Sequence, residues 1–311
     1  MRPLGELYSF ILQTRQGGGD PRAALEAFRT EFPKAKALAA QLQSQAKAQP
    51  EPMRRWLTEM AGTVNASAVA PRLAEAERRV GDIWRTSVAP SCQQALDGRF
   101  PFVPNSPIDA NLSDFARVLG PGGLIEQFSK ANIEPFADTS VRPWRWTDPQ
   151  AGGLRMSQAS LAMFERAAII RQAFFAGGAP QPQVAFDLKP LSLDNRARQV
   201  QMDIGSQSVV YQHGPTRATR LQWPSSGAST ASILFTPLDN PNRNVGLTKD
   251  GPWALFRLIA AGQMTRTAGA DRFRLAFDVE GYKAEFELSA DSVINPLSLP
   301  ELQQFRCPGV L

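Results

Sequence analysis

The chain has 311 residues, of which 43% are hydrophobic and 20% are charged. This composition is typical of a folded globular protein and excludes wholesale disorder, and the length allows two domains with separate cores. The net charge of +5 does not by itself indicate a nucleic-acid binder, because the basic residues are scattered among acidic ones. Such charges usually lie on solvated faces.

No apolar stretch of the sequence reaches the roughly 18 to 20 residues that span a bilayer. The longest candidate, LAMFERAAIIRQAFFAG, is interrupted by Glu165, Arg166 and Arg171. The opening MRPLGELYSFILQ lacks the apolar core and small-residue cleavage site of a secretion signal. The sequence is therefore either that of a cytoplasmic protein or a soluble piece of a larger one.

The first part of the chain is predicted to be helical. Asp20 and Pro21 suit the N-cap and first turn of a helix in DPRAALEAFRTEF, and EPMRRWLTEMAGTV is a second amphipathic segment. APRLAEAERRVGDIWRTSV has an apolar stripe at helical spacing with charged residues around it. The stripe consists of Leu73, Ala76, Val80, Ile83 and Trp84.

Further helices are predicted in NLSDFARVL, capped by Asn111 and ended by Gly120, and in GLIEQFSKANI. The last long helix should run from about Ser157 to Phe175. Its apolar face comprises Leu161, Phe164, Ala168 and Phe175. The segment GRFPFVP, with Phe100 and Phe102 on either side of a proline, is predicted to be a stiff extended connector with its aromatic rings buried between helices.

A Gly/Pro-rich breaker, AGGAPQPQ, ends the helices, and the apolar period then becomes two. Short alternating runs follow: QVAFDLKPLSL, ARQVQMDIG, QSVVYQHG, TRATRLQWP and TASILFTPL. DRFRLAFDVEGYKAEFELSA is predicted to be a hairpin that bends at Glu280 and Gly281. The fold class is therefore α+β, with a helical domain over residues 1–178 and an antiparallel β-sandwich over residues 179–311.

One helix is predicted inside the β-rich part, in TKDGPWALFRLIAAG. Asp250 is placed as its cap and Pro252 in its first turn. Trp253, Phe256 and Ala260 share one face, and Arg257 is the only charged residue of the helix. A helix so apolar must be mostly buried. We expect it to be a plug that packs over the sandwich and closes one end or edge.

The sequence carries no motif for a catalytic site, a cofactor or a metal ion. The only histidine, His213, lies in a predicted strand-end turn and cannot form a zinc site alone. Glu165 is expected to form a solvated ion pair beside Arg166 on the helix surface. Cys92 and Cys307 could be two buried thiols or one long-range disulfide, and only an oxidising compartment permits the second.

The motif RPWRW presents Trp144 and Trp146 beside Arg142 and Arg145. Trp and Arg in this arrangement could line a sugar-binding site or a protein interface. An anchor at a domain junction is the simpler interpretation and the one we favour.

Several stretches together resemble one family. The segment CQQALDGRFPFVPNSPIDANLSDFARVLGPGGLIEQFSKANIEPFADTSVRPWRW, followed by LQWP, DGPWALFRLI and the terminal FRCPGVL, is similar to the C-terminal periplasmic region of the IcmF/TssM family. These are the inner-membrane scaffold proteins of type VI secretion systems. The resemblance extends from about Val64 to the last residue, and the motifs occur in the family's order.

The resemblance implies a periplasmic fragment whose membrane anchors lie upstream, in segments absent from this chain. It implies three partners: the outer-membrane lipoprotein TssJ, docking on the β-rich domain, further copies of the chain, and the inner-membrane component TssL. It carries no enzymatic residues over to this sequence. In a periplasm, Cys92 and Cys307 could tether the terminal tail to the helical part.

Two polar turns of the β-rich part, HGPTR and LDNPNRN, are the expected partner-binding loops. Their candidate contact residues are His213, Arg217, Asn240, Asn242, Arg243 and Asn244. The function predicted from sequence is thus a non-enzymatic scaffold module that links inner and outer membranes. The alternatives are a cell-wall module that binds or hydrolyses peptidoglycan through Trp144, Trp146 or a carboxylate pair, and, more weakly, a nucleic-acid binder.

Overall fold

The computed structural model describes residues 34, 37–63, 70–147, 156–267 and 269–311. The chain divides into two compact units. The first unit takes Met1–Pro90, Gln127–Glu165 and Pro308–Leu311, and the second takes Ser91–Glu126 and Arg166–Cys307. Helices come first and antiparallel sheets follow, as the sequence predicts. The predicted helix that begins at Asp20 lies outside the described residues.

Two of the early helices follow predicted segments, whereas the helices over residues 37–46 and Ala89–Leu96 were not predicted. Helix α1 covers residues 37–46, and the next elements are α2 (Met53–Thr63), α3 (Ala70–Ile83), a π-helical turn (Trp84–Val88) and α4 (Ala89–Leu96). Val80 and Trp84 are buried as expected, but Ile83 is 42% exposed, so its place in the apolar stripe is wrong. The buried face advances in steps of four through Val80, Trp84 and Val88, which leaves Ile83 beside it.

Helices α5 (Leu112–Leu119) and α6 (Leu124–Asn132) confirm the prediction from capping residues. The Asn111 side chain accepts hydrogen bonds from the backbone N–H groups of Ser113 and Asp114, and Gly120 is the C-cap of α5. These bonds satisfy N–H groups that have no partner inside the helix.

The last long helix, α7, runs from Gln158 to Phe174, within one residue of the predicted bounds. Leu161, Phe164 and Phe175 are buried, but Ala168 is only half-buried. The predicted single face is too narrow, because further residues of α7 are also buried. They include Met163, Ala167, Ile170, Ala173 and Phe174.

The segment GRFPFVP is not an extended connector. It forms successive turns, in which the N–H of Val103 donates to the carbonyl of Arg99 and the N–H of Phe100 donates to the carbonyl of Ile108. Phe100 and Phe102 are buried, and the Phe102 ring lies 6.1 Å from that of Phe115. The segment is therefore a closed loop rather than a straight spacer.

The strands of the described residues form a short pair and two larger antiparallel sheets. Strands β1 (Ala137–Asp138) and β2 (Arg145–Trp146) pair with each other. The larger strands are β3 (Val184–Leu193), β4 (Ala197–Ile204), β5 (Gln207–Tyr211), β6 (Thr219–Trp223), β7 (Thr230–Pro237), β8 (Val245–Asp250), β9 (Gln263–Arg266), β10 (Arg272–Val279) and β11 (Tyr282–Ala290). Their orders are β6-β3-β11-β10-β9 and β5-β4-β7-β8.

The two sheets pack into the predicted sandwich through their alternating buried residues. β7 alternates half-buried and buried positions along its whole length, as a strand with one inward face should. Across the sandwich, the Phe235 and Tyr282 rings stack with centroids 6.1 Å apart. The hairpin of β10 and β11 has the predicted bend, in which Glu280 and Gly281 both have positive φ, as a two-residue hairpin loop requires.

The plug helix, α8 (Ala254–Ala261), joins β8 to β9, edge strands of the two sheets. Residues Trp253, Ala254, Leu255, Phe256, Leu258 and Ile259 are all buried, which confirms the burial predicted from their apolar character. The indole of Trp253 packs against Trp223 at 4.9 Å, Phe115 at 5.3 Å and Phe174 at 5.6 Å between ring centroids. Its Nε1–H donates to the carbonyl of Ala110 at 2.7 Å.

Two details of the plug helix differ from the prediction. Asp250 is not its cap but the last residue of β8, and Ala260 is exposed. The Trp253 N–H donates instead to the Asp109 carboxylate at 3.3 Å. Gly251, with φ of +99°, passes so close to this carboxylate that a Cβ would lie 2.3 Å from Asp109 Oδ2. The loop that holds Asp109 thus sets where α8 begins.

Helix α8 also carries a partly buried ion pair. The Arg257 guanidinium donates to the Asp109 carboxylate, with Nε 2.9 Å from Oδ1, and to the Ser106 carbonyl at 2.9 Å. It lies 4.2 Å above the centre of the Phe100 ring. The single charge of the plug helix is therefore neutralised by the same carboxylate that receives the Trp253 N–H.

Trp253→Ala should lower the free energy of unfolding by about 3–5 kcal/mol, because it leaves a large cavity and an unpaired Ala110 carbonyl. Urea denaturation followed by circular dichroism measures the change. Trp56→Ala is the matched control, since Trp56 is 50% exposed, and it should cost less than about 1 kcal/mol. Equal losses for the two variants would contradict the assignment of Trp253 as the centre of this core.

Candidate protein-interaction surfaces

The candidate partner-binding residues lie at one end of the sandwich, which we call the four-loop end. It consists of residues 194–196, 212–218, 238–244 and 280–281. The strand pairing brings these loops together, because Val200 of β4 pairs with Tyr211, the last residue of β5, and Ala197 pairs with Pro237, the last residue of β7. All six predicted residues, from His213 to Asn244, are exposed. Whether a partner contacts them stays a prediction.

His213 serves as a structural contact in its loop. Its φ is +59°, a left-handed conformation that few residues other than glycine adopt. Its ring Nε2 lies 2.8 Å from the carbonyl oxygen of Ala197, which can only accept, so Nε2–H donates. This bond ties the loop after β5 to the start of β4. Arg217, in the same loop, is exposed.

The loop between β7 and β8 carries the other four residues. Thr236 Oγ1 donates to Asn244 Oδ1 at 2.9 Å, and Arg243 pairs with Glu280 of the β10–β11 turn at 3.2 Å. The Arg243–Glu280 pair is largely exposed and contributes little to stability. Asn240 and Asn242 point polar side chains outward from the exposed tip. The loop can therefore present amide and guanidinium groups to another protein.

Asp194 and Arg196 organise the centre of the four-loop end, and the sequence analysis did not single them out. Arg196 donates to both carboxylate oxygens of Asp194, at 3.0 and 2.8 Å, and to the carbonyl of Gly281. Its own carbonyl accepts the N–H of Leu238. The turn sequence Asp-Asn-Arg between two predicted strands is the signal that could have identified this junction.

The Arg196 hydrogen bond lowers the pKa of Asp194 from 3.8 to about 2, with a smaller contribution from the Arg196 backbone N–H. A carboxylate with a lowered pKa in the folded state stabilises the fold above its ordinary pKa. That stabilisation is lost as the pH falls from about 4 towards about 2. At neutral pH the ionised Asp194 is therefore paired with Arg196, which also contacts the Gly281 carbonyl.

Asp194→Asn should therefore flatten the pH dependence of the unfolding free energy between about pH 4 and pH 2. Urea midpoints measured across this range test the expectation. Arg196→Ala should have the same effect, because it removes the cause of the lowered pKa. Asn195→Ala, which keeps both charges, should retain the wild-type slope, and an unchanged slope in Asp194→Asn would contradict the assignment.

Cys92 and Cys307 form a disulfide with Cα atoms 5.8 Å apart. The bond joins helix α4 to the residues that follow the short helix α9 (Pro300–Gln304). Near it, the Gln93 side chain donates to the Cys307 carbonyl at 3.4 Å, and Phe305 packs 5.8 Å from Phe102. The end of the second unit is therefore held by a covalent bond as well as by packing.

Replacing both cysteines with alanine should lower the free energy of unfolding by about 2–5 kcal/mol, because the disulfide closes a long loop in the unfolded chain. Urea denaturation with and without a reducing agent gives the measurement. The reductant should lower the unfolding free energy of the wild-type protein to that of the double variant, and it should leave the unfolding free energy of the variant unchanged. Two titratable thiols in the denatured, unreduced protein would contradict the bond.

The first unit corrects the prediction for Glu165 and bears on the alternative of a sugar site at Trp144. Glu165 is not a solvated partner of Arg166, because it is only 9% exposed and its Oε2 accepts the Trp144 N–H at 3.1 Å. Trp144 is 8% exposed, so its ring offers no face for a sugar to stack on. Gln158 donates to the Trp144 carbonyl at 2.8 Å. The carboxylate fixes the RPWRW strand to α7, a role that a mid-helix glutamate does not reveal in sequence.

Two kinds of site are absent from the part of the chain that the structure describes. No group of three or more His, Cys, Asp or Glu side chains there could hold a metal ion. None of the helices in that part combines the length and apolar character needed to cross a membrane.

Comparison with known families gives two matches in order along the chain. The model of the type VI secretion protein IcmF helical domain matches residues 75–180, and that of the IcmF C2-like domain matches residues 186–292. The chain is 35% identical over 243 residues to the type VI secretion system component TssM1 of Pseudomonas aeruginosa. That match covers 78% of this chain but 22% of the relative, so the chain spans about a fifth of that protein's length.

Solved structures share the fold. The C-terminal domain of the type VI secretion protein TssM from EAEC matches with a TM-score of 0.65 at 21% identity, over 76% of this chain and 98% of that one. A chain of a type VI secretion system membrane core complex matches at 0.70 and 21% identity, over 96% and 62%. A chain of a type VI membrane complex matches at 0.74 and 20% identity, over 99% and 66%.

Proposed function

The chain belongs to the C-terminal region of the IcmF/TssM family, and from that premise we propose that it is a non-enzymatic module of a type VI secretion membrane complex, which binds the outer-membrane lipoprotein TssJ. The observation that carries the proposal is the succession of the helical and C2-like domain matches along one chain. Both matches are needed to identify the region, because the β-sandwich of the C2-like domain is a fold that also occurs in proteins with unrelated functions.

The four-loop end supports a binding role for the sandwich. Its exposed Arg217, Arg243 and Asn244 are held on loops whose bases are fixed by hydrogen bonds, such as that of His213 to Ala197. Loops positioned by a rigid scaffold are common binding sites, because they can vary without disturbing the core. Residues 179–311 are proposed as the partner-binding domain.

The proposed location is the periplasm, with the membrane anchors upstream of this chain. The Cys92–Cys307 disulfide supports this location, since such bonds persist in oxidising compartments. Further copies of the chain and the inner-membrane component TssL are the other proposed partners. Several copies in one complex would combine weak contacts into a durable link between membranes.

The proposed boundary between residues 178 and 179 raises the question of which part of the chain can fold alone, as well as which part binds the partner. The second compact unit includes Ser91–Glu126 and Arg166–Cys307, so a fragment starting at residue 179 would lack Phe115 and Phe174, two ring partners of Trp253. The complete chain is therefore the right material for binding experiments.

Isothermal titration of the full chain with purified TssJ tests the proposed function. The wild-type chain should bind TssJ. The double variants Arg243→Ala/Asn244→Ala and His213→Ala/Arg217→Ala should bind at least about tenfold more weakly, because each removes contact residues expected to contribute strongly to the binding free energy. Arg266→Ala/Arg272→Ala is the matched control, since both arginines are exposed and lie towards the opposite end of the sandwich.

Each result has a distinct meaning. Absence of wild-type binding would refute the proposed function. Wild-type affinity in both double variants would keep the function but remove the four-loop end as the contact. Loss of affinity in the arginine control would show a general effect of lost positive charge rather than a local contact.

A further inference from the structure

The two large sheets have four edge strands, and three of these edges are protected against the addition of a further strand. Helix α8 joins β8 to β9 and contacts both, and each of these two strands also carries charged residues. In β6, the side-chain amide of Gln207 takes the place of a neighbouring strand. It accepts from the Gln222 N–H at 2.9 Å and donates to the Gln222 carbonyl at 2.7 Å. Charged side chains and covered backbone groups are common protections of a sheet edge.

Strand β5 is the fourth edge, and it carries no charge. Its sequence, QSVVY, also contains no proline, and its pairing with β4 runs without a bulge. Valine and tyrosine favour extended backbone. Ser208 is exposed and Val210 is 50% exposed, so this edge of the four-stranded sheet faces solvent. An edge of this kind is a template for pairing with another strand.

The hydrogen bonds of β4 show which backbone groups of β5 point outward. The Gly205 N–H donates to the Thr230 carbonyl of β7, so the preceding residue, Ile204, faces β5. The direction then alternates residue by residue along both strands. The N–H and C=O groups of Ser208 and Val210 therefore point away from β4. No hydrogen bond from another described residue reaches these groups.

The outward groups of β5 are complementary to those of an identical strand. When two copies of β5 run antiparallel about a twofold axis at Val209, Ser208 lies opposite Val210 of the second copy. Each such pair exchanges two hydrogen bonds. The two symmetric pairs then satisfy every outward N–H and C=O group of both residues in both copies. The contact is closed, because each copy uses the same surface.

Charge does not oppose a second copy at this edge. Residues Gln207–Gln212 carry no charge, so two identical strands do not repel each other. The outward carboxylate of Asp203 lies opposite Ser208 on β4. In the antiparallel arrangement this row continues into Val210 and Gln201 of the second copy, so the two Asp203 carboxylates are in different rows. At least three strand spacings, about 14 Å, separate them, and surface charges this far apart are largely screened.

We propose that two copies of the chain associate through their β5 strands, which joins their four-stranded sheets into one continuous antiparallel sheet. The proposed function includes further copies of the chain as partners. This inference rests on that part of it and names the contact between copies. The strands are short, so the contact is smaller than a standard interface of about 1,200–2,000 Å². We expect weak association, with a dissociation constant between about 1 μM and 1 mM.

A proline at position 210 tests the proposal in the full chain. The Val210 N–H points away from β4, so Val210→Pro removes a donor from the open edge without removing a hydrogen bond to β4. Val210→Thr is the matched control, because threonine is also β-branched and keeps the N–H. Sedimentation equilibrium up to about 1 mM chain measures dimer formation. Val210→Pro should dimerise at least about tenfold more weakly than wild type, and Val210→Thr should stay within about threefold of it.

Val210→Lys tests the same edge by charge, and it replaces Val210→Pro if that variant does not fold. In the dimer the two introduced cations lie diagonally across the axis, about 7–8 Å apart at Cβ. Dimerisation should therefore be at least about tenfold weaker at low salt, and it should recover in part at high salt because the repulsion is screened. Thermal unfolding followed by circular dichroism checks that each variant folds.

Ser208→Cys tests the antiparallel register. The two introduced thiols also lie diagonally across the axis, about 7–8 Å apart at Cβ, so a short bifunctional maleimide should join the copies. The native cysteines do not compete, because they are bonded to each other. Thr248→Cys is the matched control, since Thr248 is exposed on β8, the other edge strand of the same sheet. It should give little crosslinked dimer.

The outcomes separate this inference from the binding of the lipoprotein. A wild-type chain that stays monomeric up to about 1 mM overturns the inference, and so does equal dimerisation of wild type, Val210→Pro and Val210→Lys. Crosslinking of Thr248→Cys in place of Ser208→Cys would assign the contact to the other edge and overturn it as well. A monomeric wild type that binds TssJ, with affinity lost in Val210→Pro, would assign the β5 edge to the lipoprotein instead. Dimers that form as expected without any affinity for TssJ would refute lipoprotein binding and support the β5 contact.

Discussion

The fully buried indole of Trp253 connects three parts of the second unit. Its ring packs against Phe115 of α5, Phe174 at the end of α7 and Trp223 at the end of β6. An indole N–H in an apolar core needs an acceptor, and the carbonyl of Ala110 supplies it. Because Ala110 belongs to the loop before α5, the sandwich and the adjoining helices share one core.

That shared core explains why local patterns predicted some features and missed others. The Asn111 cap of α5 and the β10–β11 hairpin depend on residues close together in sequence, and both were predicted. The start of α8 depends on Asp109, which accepts the Trp253 N–H from 144 residues away. Asp250 had the right residue type and spacing for a cap, but tertiary contacts placed it at the end of a strand instead.

Burial of polar residues was the hardest feature to predict. Glu165 next to Arg166 fits a solvated helix surface, yet its carboxylate accepts a backbone N–H in the interior. Nothing in the local sequence distinguishes a buried glutamate from a solvated one at this position, because the partner of Glu165 is a backbone group 21 residues away. Strands β8 and β9 were not predicted either. In β8, Gly246, Lys249 and Asp250 interrupt the alternation of apolar and polar residues that marks a strand.

The candidate loops were identified as polar turns, but their convergence follows only from the strand order β5-β4-β7-β8. The outward residues of the same strands are unremarkable in sequence, because glutamine, serine and threonine alternate there with buried apolar residues, as in other half-exposed strands. The outward side of the five-stranded sheet differs, because Asp187, Arg274 and Lys283 form ion pairs there.

The position of the plug helix restricts where a partner can bind the sandwich. β8 and β6 both end at the side away from the four loops, and there Trp253 packs on Trp223. Helix α8 then contacts β7, β8 and β9, which covers the edge between the two sheets on that side. The outward side of the five-stranded sheet carries exposed ion pairs, whose charged groups are costly to dehydrate. The four-loop end lies away from this helix, so a partner can contact the loops without disturbing the core around Trp253.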